Sequence, residues 1–474
     1  MANTYWQGQA ANLDWTNAAF WSNGVPGPAD NAYMCVGIAQ LTTNAGSINT
    51  FNLQPAPQTG NPLLKIIEGA SLSVTAASSG FRLGYGNGQY DAIISQFGGT
   101  LNITDSVAII GLNSAAAALG TGVYNMYGGT LNSGGFQIGA YRYPTGNAIN
   151  TSSSGRFNQI GGAVNLTGNL KLGFPATGTS GGVYNTSNAY WNLKGGLLNV
   201  GLGTISRDTT ATPGTRLFNF TGGTLKARTI DASVGDLTQS ATDNPSLLDV
   251  TGNNTTINGN YSLLGNATYA ATVNVGSLQT LTMGVNKVLT IGSKGVLKGA
   301  GTVVTSGTGQ VSVLGGGKVA PNVIGTTIVV LATTETLTTA TFAAGAILDF
   351  KFGGTSDLIT VTTVLTLPDT GTITFNVIDN ANAGGGGSLR NGTFPILTYG
   401  SLVGGNSTFN ATFAIGSTPA GWGTDTKSYT FSNNPGTRTI SLTIASLAVS
   451  SSSRRNLNAR TGSRSITNSN NQGL

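Results

Sequence analysis

The 474-residue chain contains no histidine. That excludes Ser-His-Asp and Cys-His catalysis and every His-ligated zinc site. It has a single cysteine, Cys35, so an intrachain disulfide is impossible. The thiol falls in Ala32-Tyr33-Met34-Cys35-Val36, a strand-like run, and reads as a buried small hydrophobe rather than a reactive group. Charge is scarce as well. Asp, Glu, Lys and Arg make up 8% of the residues, where about a quarter is usual. Only 16 residues are acidic. A glycosidase needs two carboxylates facing one another about 5–9.5 Å apart. The closest acidic group in sequence, Asp231, Asp236, Asp243 and Asp249 near Arg228, has spacings that do not set its members on adjacent turns of a repeat. No catalytic residue is assigned, and the chain reads as a non-enzyme. It has no Gly-Gly-x-Gly-x-Asp repeat and no EF-hand loop, so no metal or cofactor is assigned. Calcium held by carbonyls and Asn side chains between subunits has no motif behind it. No apolar run approaches the about 18 residues of a membrane span, so no membrane insertion is expected. Met1-Ala2-Asn3-Thr4 lacks the basic and apolar regions of a signal peptide.

The net charge of +6 is concentrated at one end. Arg454, Arg455, Arg460 and Arg464 lie in a Ser/Asn-rich tail, 447–474, with no acidic residue, which leaves +2 for everything before it. The body is near neutral and offers no basic face for nucleic acid. A surface of Asn, Thr, Ser and Gly has little repulsion to keep copies apart, which favours self-association.

What the chain has in abundance is glycine, 71 residues, placed with a rhythm. Gly98-Gly99-Thr100-Leu101-Asn102 returns as Gly128-Gly129-Thr130-Leu131-Asn132, Gly161-Gly162-Ala163-Val164-Asn165, Gly195-Gly196-Leu197-Leu198-Asn199 and Gly222-Gly223-Thr224-Leu225-Lys226. The intervals are 30, 33, 34 and 27 residues. A short run with aromatic or aliphatic residues precedes each pair, for example Val123-Tyr124-Asn125-Met126-Tyr127 and Tyr190-Trp191-Asn192-Leu193-Lys194. Another, ending in Gly, follows most of them, as in Ile109-Ile110-Gly111 and Leu170-Lys171-Leu172-Gly173. Strand-like runs cornered by Gly at this period predict a solenoid, and helix-period segments are almost missing. The fold class is therefore all-β: a parallel β-helix or β-solenoid with an N-terminal cap and a longer-stranded C-terminal β region.

In such a coil Leu101, Leu131, Val164, Leu198 and Leu225 share one register and point inward. Asn102, Asn132, Asn165 and Asn199 follow them, facing outward or at a corner, where stacked amides bond along the axis. Loops at 114–121, 145–155 and 176–182 vary in length, which explains the uneven period. Residues 1–60 read as an aromatic cap carrying Trp6, Trp15 and Trp21, because an open solenoid end exposes both core and strand edges. The alternative use of those indoles is a sugar platform. Residues 61–325 form the Gly-Gly solenoid. Residues 326–446 hold longer strands, such as Thr372-Ile373-Thr374-Phe375-Asn376-Val377, in wider coils with a sandwich-like closure. Residues 447–474 are the basic tail, solvated or an arm to a neighbour.

The opening Tyr5-Trp6-Gln7-Gly8, Trp15, Trp21-Ser22-Asn23-Gly24, Pro26 and Asp30-Asn31-Ala32 resembles that of secreted β-helix proteins carrying autotransporter-associated β-strand repeats. So do Leu297-Lys298-Gly299-Ala300-Gly301-Thr302-Val303, Gly315-Gly316-Gly317-Lys318-Val319-Ala320-Pro321 and Gly392-Thr393-Phe394-Pro395-Ile396-Leu397-Thr398-Tyr399. The resemblance covers most of residues 1–446 through motifs of low information. It implies a passenger-like parallel β-helix at the cell surface or outside the cell. The tail 447–474 reads as neither the membrane barrel nor the sorting anchor of that family, so neither is expected from these residues. Three functions follow as expectations. The first is a structural subunit that polymerises with itself into a fibre, sheath or surface layer. The second is an adhesin binding cell-surface polysaccharide through exposed Trp, Tyr141 and Tyr143. The third, a polysaccharide lyase or glycosidase, needs a carboxylate pair that the sequence does not display.

Overall fold

The computed structural model describes residues 2–8, 13–54, 61–76, 80–84, 91–104, 108–111, 120–139, 153–173, 187–209, 214–321, 334–352, 356–379, 389–406 and 408–447. The expected loops at 114–121, 145–155 and 176–182 lie wholly or largely outside the described residues. So do Tyr141, Tyr143 and the arginines at 454, 455, 460 and 464.

The chain folds as a parallel β-helix. Three strands make one turn of the coil, illustrated by Asp91–Gln96 (face 1), Thr100–Ile103 (face 2) and Ala108–Ile110 (face 3). Each pairs in parallel with its counterpart a turn later: Gly120–Met126, Thr130–Ser133 and Phe136–Ile138. Face 2 is a single 14-stranded parallel sheet. Faces 1 and 3 belong to one 30-stranded sheet, because Leu358–Leu367 is long enough to pair with Thr334–Leu337 of face 3 and Ala340–Phe342 of face 1.

The pattern that dictates this is period-two alternation. Along face 2 every second residue is buried, and Leu72, Leu101, Leu131, Val164, Leu198 and Leu225 stack in register down the interior. The column continues through Leu248, Val273, Leu297 and Val319. Strands sit about 4.8 Å apart, so each buried side chain rests on its counterpart. Burying one of them contributes about 1.5–3 kcal/mol. A lone coil has nothing to pack against; the stack supplies both neighbours.

Glycine sets the corner between faces 1 and 2. Gly129 has φ +78°, and a Cβ there would collide with the carbonyl oxygen of Gly99 in the coil before. Gly196 repeats this against Gly162, with φ +72°. Only glycine satisfies both the backbone angle and the contact.

Parallel pairing begins inside the 1–60 segment, where Asn3–Tyr5 pairs with Asn31–Met34 and Leu13–Asp14 with Ile38–Leu41, and Asn31–Met34 and Ile38–Leu41 already alternate buried and half-buried residues. Pairings also cross residue 325 without a break. The C-terminal closure is an antiparallel hairpin, Lys427–Asn434 with Thr439–Ser446, laid on Gly392–Gly404.

Candidate assembly surfaces

The three tryptophans close the N-terminal mouth of the coil. Trp6, Trp15 and Trp21 are all buried, with Trp15 fully so. Trp15 meets Trp21 edge-on at 4.6 Å and packs on Phe51, a rung residue, at 5.8 Å. The Trp21 indole N–H donates to the Trp15 carbonyl at 2.8 Å. Their ring faces are spent on one another and on the core, so the sugar-platform alternative for these indoles does not fit their placement. The adjoining strand edge is covered too: Ser22 N–H donates to Tyr5 O and Gln7 N–H to Phe20 O. On face 2 the first strand, Asn44–Ile48, carries a bulge between Asn44 and Ser47 that interrupts its pairing register. At the far end the last strand of face 2, Phe413–Ile415, is three residues long.

The asparagine expectation resolves into a ladder and an exception. Asn132 donates to Asn102 at 2.8 Å and Asn165 to Asn132 at 3.0 Å, on the outward side of face 2. Asn199 stands next in register, but its Oδ1 accepts from Gly201 N–H instead. The column then changes chemistry, with Lys226 paired to Asp249 at 3.0 Å. Sequence reasoning missed a longer ladder on face 1. Asn158 donates to Asn125, Asn192 to Asn158 and Asn219 to Asn192, at 2.7–2.8 Å. Its signal was present, since each of these residues lies three positions before a Gly-Gly pair. Each amide uses one N–H and one oxygen lone pair along the axis, which leaves a donor and an acceptor facing outward.

The acidic residues of the 231–249 segment are engaged one at a time. Asp231 caps the short turn Ala232–Val234 through Ser233 N–H. Asp236 accepts from Asn260, Asp243 lies 3.9 Å from Lys194, and Asp249 holds Lys226. Hydrogen bonding keeps the Asp231 and Asp236 carboxyls below their ordinary range. Among the described residues, no three His, Cys, Asp or Glu side chains come together as a metal site, and no helix is long and apolar enough to cross a membrane. Cys35 lies just past the end of Asn31–Met34 and is half-buried, with the Gln54 amide donating to its sulfur at 3.4 Å. Burial pushes its thiol up, which lowers its reactivity.

A second missed feature is a set of large apolar side chains at the corner after face 1. Phe97, Tyr127 and Ile160 are exposed on successive coils, immediately before their Gly-Gly pairs. The Phe97 and Tyr127 rings stack 4.9 Å apart and within 4° of parallel. Leu264 and Leu314 stand exposed at the same corner on later turns. Tyr5 and Tyr33 make a similar outward stack at 5.1 Å. Comparison with protein-family models and with curated protein sequences returns no match.

Proposed function

We infer that the protein is a non-enzymatic structural subunit that associates with copies of itself into an extracellular fibre, sheath or surface layer. The observation that carries this reading is the outer surface of the coil. Long flat faces bear amide ladders and exposed apolar columns, and among the described residues only three ion pairs. Such a surface repeats every about 4.8 Å and carries little charge to repel another like it. Both mouths of the coil are closed, by the tryptophan plug and by the C-terminal hairpin, so contacts along the sides are favoured over end-to-end continuation of the sheets. The extracellular setting rests on the resemblance to secreted β-helix proteins. Ultracentrifugal pelleting over a concentration series, with and without calcium, tests the reading. Large pelletable species support it, and a monomer at all concentrations contradicts it.

The exposed coplanar pair Phe97 and Tyr127 favours a second reading, an adhesin that stacks sugar rings on that platform. A glycan array separates the two. Binding lost on Phe97→Ala and Tyr127→Ala, by a protein that stays monomeric, supports the adhesin.

A further inference from the structure

One junction between successive coils is nearly unzipped on face 1. Arg216–Phe220 pairs with the coil before, Ser187–Leu193, through five residues, and Leu237–Ala241 pairs with the coil after, Tyr261–Gly265, through five. Between themselves these two strands pair only at Phe220 and Gln239. Thr221 N–H donates to Leu193 O and Ala189 N–H to Thr215 O, so the odd-numbered residues here bond the coil before, and Phe218 turns its peptide groups to the coil after. Leu237 N–H donates to Asn260 O, so Thr238 turns back toward the coil before. The ladder that would join Phe218 to that strand is missing.

The gap is a cavity of about 300 Å³ lined by Leu217, Phe218, Asn219, Val234, Leu237 and Thr238. It reaches the core. Phe218 follows Phe157 and Trp191 in one inward column, and it is 6% exposed where they are fully buried. Leu237 is 5% exposed, while Tyr261 and Leu289, next in its column, are fully buried. The face 1 amide ladder ends at Asn219, on the near wall. The other faces cross this junction on short ladders, three residues on face 2 and two on face 3. The corner toward face 2 is pinned. Thr242 and Asp243 N–H both donate to Thr221 O, at 3.1 and 3.0 Å, and the Asn244 amide reaches Lys194 O at 2.8 Å.

We propose that this junction is the hinge and breaking point of the coil stack: the coils up to Ile230 and those from Leu237 onward open here and lose structure as two separate units. In a solenoid each coil is held by its own contacts and by those with its two neighbours, so cooperativity passes along the stack only through the junctions. A junction with short ladders, a cavity and core side chains open to water transmits least, and local opening starts where protection is lowest. The pinned corner fixes how it opens. Thr221 and Asn244 hold the strand ends at face 2, and the walls at Phe218 and Thr238 part. This holds whatever the outer faces bind.

Hydrogen exchange of the full chain, read at single residues by mass spectrometry through a urea series, tests this. In the parent protein the amides of Phe218 and Thr238 are expected to exchange about a hundredfold or more faster than that of Trp191, which lies in a fully paired ladder. Comparable protection would mean that the junction is closed, and would overturn the proposal. Two variants probe the coupling, Val164→Ala in the first unit and Val273→Ala in the second. Each removes the same two methyl groups from a fully buried position in the face 2 column. Val164→Ala is expected to lower the urea midpoint of Thr130–Ser133 and to leave that of Gly295–Gly299 where it was. Val273→Ala should do the reverse. If a variant abolishes protection on its own side while the other side keeps its midpoint, the units are separate as proposed. Strands on both sides shifting together in either variant would show one cooperative coil and overturn the proposal.

Discussion

Gly129 shows how one residue constrains the coil. Its φ of +78° costs a non-glycine residue about 1–2 kcal/mol, and a side chain there would run into the carbonyl oxygen of Gly99, a backbone clash that no rotamer relieves. Gly129→Ala is expected to lower stability by more than about 2 kcal/mol, measured by urea unfolding. An unchanged midpoint would mean that the corner is not built as described. The Gly-Gly corners and the inward leucines were legible in sequence because both follow from local rules: period-two alternation and the backbone freedom of glycine. The tryptophan cap was legible too, because an open solenoid end needs a plug, but the rings it packs on were not. Whether an aromatic faces in or out depends on strand register, and at the N-terminus that register is set by pairing with rungs many residues away. For Phe97 and Tyr127, parity relative to the Gly-Gly pair held the answer: Tyr124 and Met126 are buried, so Tyr127 faces out.

At the scale of the strand, the interior of face 1 contains polar pairs that span two coils. Tyr124 donates to Gln96 at 2.5 Å, and the Gln96 amide donates to the carbonyls of Gly99 and Thr130. The arrangement recurs where Tyr261 donates to Gln239, whose amide reaches Ser246 and Thr272. Gln96 ends the strand Asp91–Gln96 and Gln239 lies within Leu237–Ala241, and each amide reaches across the interior to a backbone carbonyl of face 2, Thr130 or Thr272. Tyr124→Phe keeps the ring that stacks on Phe157 at 4.7 Å but strips the Gln96 carbonyl of its donor. The expected loss is about 1–3 kcal/mol in chemical unfolding. No loss would show that the pair does not support the fold. These partners are 28 and 22 residues apart, across loops of irregular length, so the sequence pattern did not reveal them.

The whole molecule has few groups that titrate near neutrality. Asp14 is held below the ordinary carboxylate range chiefly by the backbone N–H of Thr16, Asp231 chiefly by the Ser233 side chain, and Asp236 chiefly by the Asn260 side chain. A carboxyl depressed in the fold contributes fully above its unfolded value, about 4, and its contribution is lost as pH falls through the folded value. Burial raises the Tyr124 and Tyr261 hydroxyls, so their contribution is intact below about pH 10 and lost on the alkaline side. With no histidine, the thermal midpoint is expected to stay level between about pH 5 and 9 and to fall outside that window. A step near pH 6–7 would contradict this.

The same shortage of charge makes side-by-side association the central claim, and imaging tests it most directly. Negative-stain electron microscopy of the purified chain, across salt and calcium concentrations, should show filaments or sheets built from laterally packed rods. Each rod should be about 65 Å long, from the 14 strands of face 2 at their usual spacing. Dispersed single rods under every condition would contradict the account.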